Sequence, residues 1–351
     1  MEESKFSFKS FFNNLLNAIG AGVVIALLPN ALLGELLKFF KEGQPFLELI
    51  YQIVTVIQFF MSFIIGVLAA NALKFGGPGS AMVGTACMIG SGALHFQDGA
   101  IVLKGIGDII NLIIVLTIAC LLYMFLNGKF GSFDMIILPV LIPVVSAVIG
   151  LLTLPHVSKV TKALGQLING FTELNPLLMS ILIAVFYSLF MVTPISLVAI
   201  ATAISLTGLG SGAANMGIVA ACVTFIFGSL RINATGINLI LIVGAAKMMI
   251  PVYFKHPIIA VPLFINGVIA GIITYLIGIK GTPMSAGFGY TGLVGPLNAL
   301  NRMDGDTTMN IILLIFGYFI IPFVCGFIVH QVCKKWLPGY DDKIFKFETV
   351  K

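Results

Sequence analysis

Long apolar runs separated by short polar segments dominate the pattern along this chain. The runs at 109–126 and 311–329 contain no Asp, Glu, Lys or Arg. Each approaches the roughly 20 residues that a helix needs to cross the hydrocarbon layer. A membrane β-barrel would instead show segments of about 10 residues with alternating polarity, and the chain lacks that alternation. The pattern therefore predicts an all-α polytopic membrane protein.

Breaks in the apolar pattern divide the chain into about ten predicted spans. These spans lie at 18–40, 47–74, 106–127, 133–154, 174–192, 194–209, 212–229, 236–254, 257–279 and 308–333. The segment 155–173 differs, because its apolar residues recur at helical spacing with Lys159 and Lys162 between them, which predicts an amphipathic interfacial helix. We therefore expect an N-terminal membrane half at 1–154, this linker, and a C-terminal membrane half at 174–351.

Composition and charge support a membrane location and indicate an orientation. Hydrophobic residues make up 59% of the chain and charged residues 9%, whereas soluble domains carry about a quarter charged residues. Lys5 and Lys9 precede the first predicted span, and several lysines follow the last one. Lys and Arg prefer the cytoplasmic side, so we expect a multi-pass cell-membrane protein with both termini in the cytoplasm and an even number of spans.

Residue types that carry catalytic or metal chemistry are sparse. The five cysteines lie in or beside apolar segments without CxxC spacing, which favours packed thiols over disulfides or zinc ligands. The sequence contains no HExxH motif, no P-loop and no Ser/His/Asp arrangement in a suitable context. We therefore predict no catalytic residue, no metal and no cofactor. Basic residues are scattered through loops and termini, which is not the pattern of a nucleic-acid-binding protein.

Two segments, 76–94 and 281–300, are rich in glycine and small polar residues and are interrupted by proline. Irregular backbone facing lipid would leave polar groups without partners, at a cost of several kcal/mol each. The two Gly-rich segments should therefore be buried in protein or line a cavity. The alternative is that their small residues only allow close helix packing.

The two Gly-rich segments also resemble each other. At an offset of 205, nine residues between 59 and 90 match residues between 264 and 295, and four more match after one inserted residue. This similarity predicts an internal repeat whose copies include 76–99 and 281–305. Corresponding Gly/Pro-interrupted segments indicate a transporter's binding site near the membrane midplane. We therefore expect both segments to be re-entrant or broken helices.

Polar side chains in and beside these segments are the candidate substrate-binding residues, because hydroxyl and amide groups can donate and accept hydrogen bonds. The charged residues at the segment ends have a second interpretation as parts of water-exposed loops. The candidates are Ser80, Thr85, His95, Asp98, Ser285, Tyr290, Thr291, Asn298, Arg302 and Asp304. The glycines expected to let a solute approach the backbone are Gly76, Gly84, Gly90, Gly281, Gly289 and Gly295.

Lys247 is a further candidate, because it lies inside an apolar run, where a lysine costs about 2.5–3.5 kcal/mol to insert. Its side chain could instead extend to the membrane interface. The Gly-rich segments themselves contain no Asp, Glu, Lys or Arg up to their charged ends. A multiply charged ligand would therefore lack compensation, and we expect a neutral or singly anionic, polyol-like solute.

With its two Gly-rich segments the sequence resembles the membrane-embedded IIC component of the bacterial sugar phosphotransferase system, in particular the compact toxin-regulator (perfringolysin regulator-like) branch. This resemblance implies a sugar permease that forms a homodimer and works with a separate cytoplasmic IIB protein. The larger sugar-transporting relatives carry a Gly-Ile-Thr-Glu segment, whereas the nearest segment here, 234–238, ends in Asn238. The alternative function is a membrane regulator that senses a solute without transporting it.

Overall fold

The computed structural model describes residues 7–34, 37, 40–97, 99–243, 246–283 and 285–348. Most of these residues are helical. The longer helices are α1 (Phe8–Pro29), α2 (Pro45–Phe59), α3 (Met61–Ala72), α4 (Gly76–Gly90), α5 (Ile109–Leu126), α6 (Asp134–Phe171), α7 (Pro176–Met191), α8 (Leu197–Ala203), α9 (Gly208–Ser229), α10 (Thr235–Ile242), α11 (Ile250–Lys255), α12 (Ala260–Ile277), α13 (Val294–Leu300), α14 (Thr307–Ile315) and α15 (Ile321–Trp336). A short antiparallel hairpin, β1 (Leu94–Gln97) and β2 (Ala100–Leu103), precedes α5.

Six helical segments of the described chain are long and apolar enough to cross a membrane, and the pair α2–α3, bent by 48°, would be a seventh. This confirms an all-α membrane protein. The layout of ten spans is not confirmed, because two predicted spans contain only short helices. In the region 194–209, α8 has 7 residues, and in 236–254, α10 has 8. The positive φ angles of Ser205 and Gly208 end the helical path between α8 and α9.

Two predicted elements form one helix in the structure. The helix α6 has 38 residues and continues through Pro155, although a proline inside a helix removes one backbone hydrogen bond. The predicted linker is therefore the C-terminal part of α6. Within it Val157 and Ile168 are buried, whereas Val160 and Leu167 are half exposed. The segment thus has one buried face and one exposed face.

The chain forms two compact units, of which the first consists mainly of the chain up to residue 159 and the second of residues 160–347. In the first unit α3 and α4 pack closely against each other. A Cβ atom on Gly66 would lie 2.8 Å from the Cα atom of Gly84, which is shorter than any real contact of that kind. Glycine at these positions therefore lets the two helix backbones touch.

A buried asparagine connects α4, α5 and α6 in the first unit. Asn111 Nδ2 donates to the carbonyl oxygens of Gly90 (2.6 Å) and Gly150 (2.8 Å). Its Oδ1 accepts a hydrogen bond from Thr153 Oγ1 (2.7 Å). Both ends of the amide have partners, which is the arrangement expected of a buried polar group that stabilises a fold.

The helix α9 is the centre of the second unit and is buried along almost its whole length. It packs against α7, α12 and α15. Close contact between these helices again depends on glycine. A Cβ atom on Gly217 would lie 2.3 Å from the carbonyl oxygen of Ala184, and one on Gly271 of α12 would lie 2.4 Å from the Cα atom of Ile181.

The segment 337–347, which we call the C-terminal strap, packs onto the end of α9. Phe345 is fully buried, and its ring occupies the space that a side chain on Gly228 would need, since a Cβ atom there would lie 2.4 Å from the ring. Asn233 Nδ2 donates to the carbonyl oxygen of Phe345 (2.8 Å), and Asn233 Oδ1 accepts from the backbone N–H of Phe347 (2.8 Å). These contacts hold the strap at two points.

Candidate functional site

Residues Gly76–Gly90 of the first Gly-rich segment form the continuous helix α4, so this helix is not broken, and its re-entrant path stays a prediction. A Cβ atom on Gly84 would lie 2.7 Å from Val67, and one on Gly90 would lie 2.8 Å from Val115. These two glycines therefore face neighbouring helices, as the packing alternative predicts. Gly76 has a positive φ of 74° and open space around it. Because the second segment has a different backbone, the structure does not confirm the repeat.

The candidate side chains of the first segment have varied surroundings. The hydroxyl group of Thr85 donates to the carbonyl oxygen of Ala81 (2.8 Å) within α4, and Ser80 is buried. His95 lies in β1 opposite Val102. Asp98 lies outside the described residues. No hydrogen bond joins the side chains of Ser80, Thr85 and His95 to one another in the described part of the first unit.

The second Gly-rich segment begins with irregular backbone that is held on the start of α9. Gly281 and Gly208 exchange two backbone hydrogen bonds, at 2.9 and 3.0 Å. Ser211 Oγ donates to the carbonyl oxygen of Thr282 (2.7 Å). A Cβ atom on Gly212 would lie 1.9 Å from the carbonyl oxygen of Ile279. Only glycine at 212 allows this close approach of the loop to the helix.

The middle of the second segment folds through local turns. Ser285 Oγ accepts from the N–H of Thr282 and donates to the carbonyl oxygen of the same residue, both at 3.0 Å. This hydroxyl group therefore closes a turn. The Tyr290 hydroxyl group is 3.5 Å from the carbonyl oxygen of Leu241, and Thr291 begins a 3-10 turn before α13.

Two glycines connect this loop to α9 and to the chain after α14. The N–H of Gly289 donates to Asn215 Oδ1 (3.1 Å), and the N–H of Gly295 donates to the carbonyl oxygen of Gly289 (3.0 Å). A Cβ atom on Gly295 would lie 3.1 Å from the ring of Tyr318. Asn298 follows Gly295 by three residues in α13, on the same side of that helix.

Three buried side-chain atoms around this segment have no hydrogen-bond partner among the described residues. They are Asn215 Nδ2, Asn298 Oδ1 and Tyr318 Oη. A buried donor or acceptor without a partner costs about 1–3 kcal/mol. The sequence pattern indicated Asn298 but missed the other two. The available signal for both was a polar side chain within a long apolar segment.

The charged candidates of the second unit differ from these unpaired atoms, because each charged side chain is either exposed or already paired. Arg302 is exposed, and Asp304 pairs with Lys280. The hydrogen bond and the charge of Lys280 lower the pKa of Asp304, which stays a surface carboxylate. Lys247 Nζ donates to the carbonyl oxygen of Ile195 (2.7 Å), beside the break between α7 and α8.

The second unit also contains a cavity of about 290 Å³ at the start of α9. Its lining combines polar and apolar side chains. The lining residues are Asn169, Thr172, Met179, Ile204, Ser205, Leu206, Thr207, Leu209 and Gly210. None of the residues selected from the sequence lines this cavity.

Irregular backbone held inside a helical membrane protein is typical of transporters, in which such backbone lines the solute site. The fold and this polar site thus define an integral membrane protein of the transporter class. The chain belongs to the phosphotransferase system EIIC family, since the family described as "Phosphotransferase system, EIIC" matches residues 13–347. The comparisons with curated proteins and with solved structures gave no match. Family membership makes the chain a sugar-type permease component in the cell membrane that works with other phosphotransferase components.

Proposed function

We propose that the chain transports a neutral, polyol-like solute and that the second Gly-rich segment forms part of the solute site. The observation that carries this proposal is the unpaired acceptor Asn298 Oδ1 beside an irregular backbone. The stretch from 281 to 300 contains no Asp, Glu, Lys or Arg. Hydroxyl groups of a solute can satisfy such a site without bringing in charge.

The same proposal includes the oligomeric state, the membrane orientation, the partner protein and the subfamily. We propose a homodimer with both termini in the cytoplasm, a separate IIB protein as phosphoryl donor, and membership of the compact toxin-regulator branch. The residues Ser80, Thr85, Ser285, Tyr290 and Thr291 stay candidates for solute contact. For Ser285 and Thr85, whose hydroxyl groups bind their own backbone, the expected contribution is through the shape of the segment.

Counterflow uptake into proteoliposomes tests the proposal with a panel of glucose, glucitol and glucuronate. We expect a neutral member to be transported. Asn298→Ala should weaken its apparent affinity by roughly five- to 100-fold, because a buried hydroxyl group of the solute left without its partner costs about 1–3 kcal/mol. Asn301→Ala, at an exposed position, is the matched control.

Two outcomes would contradict the proposed site. One is unchanged affinity for the transported solute in both Asn298→Ala and Ser285→Ala, which would place the site elsewhere in the protein. The other is transport of glucuronate alone with a strong loss in Arg302→Ala, since that arginine can bind a carboxylate through two hydrogen bonds.

A further inference from the structure

Asn215 is fully buried in α9, and only one end of its amide has a partner among the described residues. Its Oδ1 accepts a hydrogen bond from the N–H of Gly289 (3.1 Å). Because a backbone N–H can only donate, this contact identifies the oxygen and sets the orientation of the amide. Nδ2 is then held as a donor with no acceptor among the described residues.

Tyr318 is the second buried side chain with an unpaired group. It is fully buried in a π-helical stretch, Phe316–Ile320, and such stretches are frequent at functional sites. Tyr187 of α7 is equally buried, but its hydroxyl group donates to the carbonyl oxygen of Leu197 (3.3 Å). The unpaired hydroxyl group of Tyr318 is thus not a general property of buried tyrosines in this unit.

These groups are connected through one short stretch of the second Gly-rich segment. Asn215 contacts Gly289, which is hydrogen-bonded to Gly295, and Gly295 lies against the ring of Tyr318. Asn298 is less than one helical turn further along α13. The three residues that carry the unpaired atoms therefore border the same piece of backbone.

The chemistry of the three atoms is complementary to hydroxyl groups. Asn215 Nδ2 only donates, Asn298 Oδ1 only accepts, and the Tyr318 hydroxyl group does both. A phosphate or carboxylate could accept from two of them but would put a negative charge against Asn298 Oδ1. We infer that Asn215 and Tyr318 are specificity-determining residues that bind vicinal hydroxyl groups of a neutral solute together with Asn298. This inference rests on the proposed function.

The test compares Tyr318→Phe with Tyr187→Phe, two changes that each remove one buried hydroxyl group. Tyr318→Phe should leave the thermal midpoint of the solute-free protein in detergent unchanged or raise it, because no hydrogen bond is lost. Tyr187→Phe should lower the midpoint. For whichever of glucose or glucitol is bound by the wild type, Tyr318→Phe should weaken binding by roughly five- to 100-fold, and Tyr187→Phe should not change it.

Each arm can overturn the inference. A midpoint that falls in Tyr318→Phe as far as in Tyr187→Phe would show that the hydroxyl group already has a partner, and this arm needs no solute. Unchanged binding in Tyr318→Phe with weakened binding in Asn298→Ala would reject the inference and leave the proposed function intact. Unchanged binding in Tyr318→Phe, Asn215→Ser, Asn298→Ala and Ser285→Ala would reject both the inference and the proposed solute site.

Discussion

Asn111 and Asn215 are both fully buried asparagines on helices, yet their side chains have different surroundings. Asn111 has partners at both ends of its amide, whereas Asn215 has a partner at one end. Buried polar groups are normally paired, so burial alone does not indicate a solute contact. The unpaired atom, together with its neighbours, carries that interpretation.

At Asp342 the structure predicts a dependence of stability on pH. Burial raises the pKa of this carboxyl group, but hydrogen bonds from Lys334 (2.7 Å) and His330 (3.0 Å) more than offset it, so the net shift is downward. A carboxyl group with a lowered folded-state pKa stabilises the fold above its unfolded pKa of about 3.9. This contribution disappears as the pH falls through the folded-state pKa.

We therefore expect the wild-type protein to lose stability below about pH 4 and expect Asp342→Asn to lack this part of the acid response. The midpoint of thermal unfolding in detergent, measured at several acidic pH values for both proteins, tests this prediction. Asp341→Asn is the control, because asparagine can still accept the hydrogen bonds that Asp341 accepts from the N–H groups of Lys343 and Ile344. Identical acid responses in Asp342→Asn and wild type would reject the prediction.

The sequence predicted part of the candidate site. Gly/Pro spacing indicated the second Gly-rich segment and with it Asn298. The roles of the Ser285 and Thr85 hydroxyl groups depend on local backbone geometry, which composition does not specify. Asn215 and Tyr318 were missed because they lie on helices far from the segment along the chain, and only the packing of α9 and of residues 316–320 brings them to it.

At the scale of elements, the loop after α9 and the C-terminal strap form one hydrogen-bonded assembly. Asn233 Nδ2 donates to Ser229 Oγ, which in turn donates to Asn238 Oδ1, both at 2.7 Å. Asn233 also binds the backbone of the strap at Phe345 and Phe347. The Asn233 side chain thus binds both the end of α9 and the strap, and Ser229 connects it to α10.

We expect Asn233→Ala to release the strap. The change leaves a carbonyl oxygen and an N–H group of the strap without their partner, at about 1–3 kcal/mol. Trypsin should then cleave after Lys343 and Lys346 roughly five- to 100-fold faster, because cleavage follows the population of the open form. Asn301→Ala is the control. Equal cleavage rates in Asn233→Ala and wild type would show that the other contacts of the strap, those of Phe345 and Asp342 among them, hold it without Asn233.

Element boundaries were predicted least well where local signals compete with hydrophobicity. The strands β1 and β2 pair with each other, whereas the sequence pattern suggested only a loop at the end of the first Gly-rich segment. Glycine content suggested a break in 76–90, but neighbouring helices stabilise α4 as a continuous helix. Helix α6 continues through Pro155, where the pattern predicted a boundary.

For the whole molecule, contacts in the first unit predict which loops share a side of the membrane. The Tyr123 hydroxyl group, near the end of α5, donates to the carbonyl oxygen of Phe75, just before α4 (3.0 Å). Asn111, near the start of α5, binds Gly90 at the end of α4. The two helices are therefore antiparallel over nearly the same length, and α5 is long and apolar enough to span the membrane.

We expect Lys74, before α4, and Lys129, after α5, to lie on one side of the membrane and Lys104 on the other. The preference of lysine for the cytoplasm favours the cytoplasmic side for the pair. The measurement introduces Lys74→Cys, Lys129→Cys or Lys104→Cys and compares labelling by an impermeant maleimide in intact cells and inverted vesicles. Wild type controls for the native thiols, of which Cys325 is partly exposed. Labelling of Lys74→Cys from the same side as Lys104→Cys would mean that α4 enters and leaves the membrane on one side, as a re-entrant segment does.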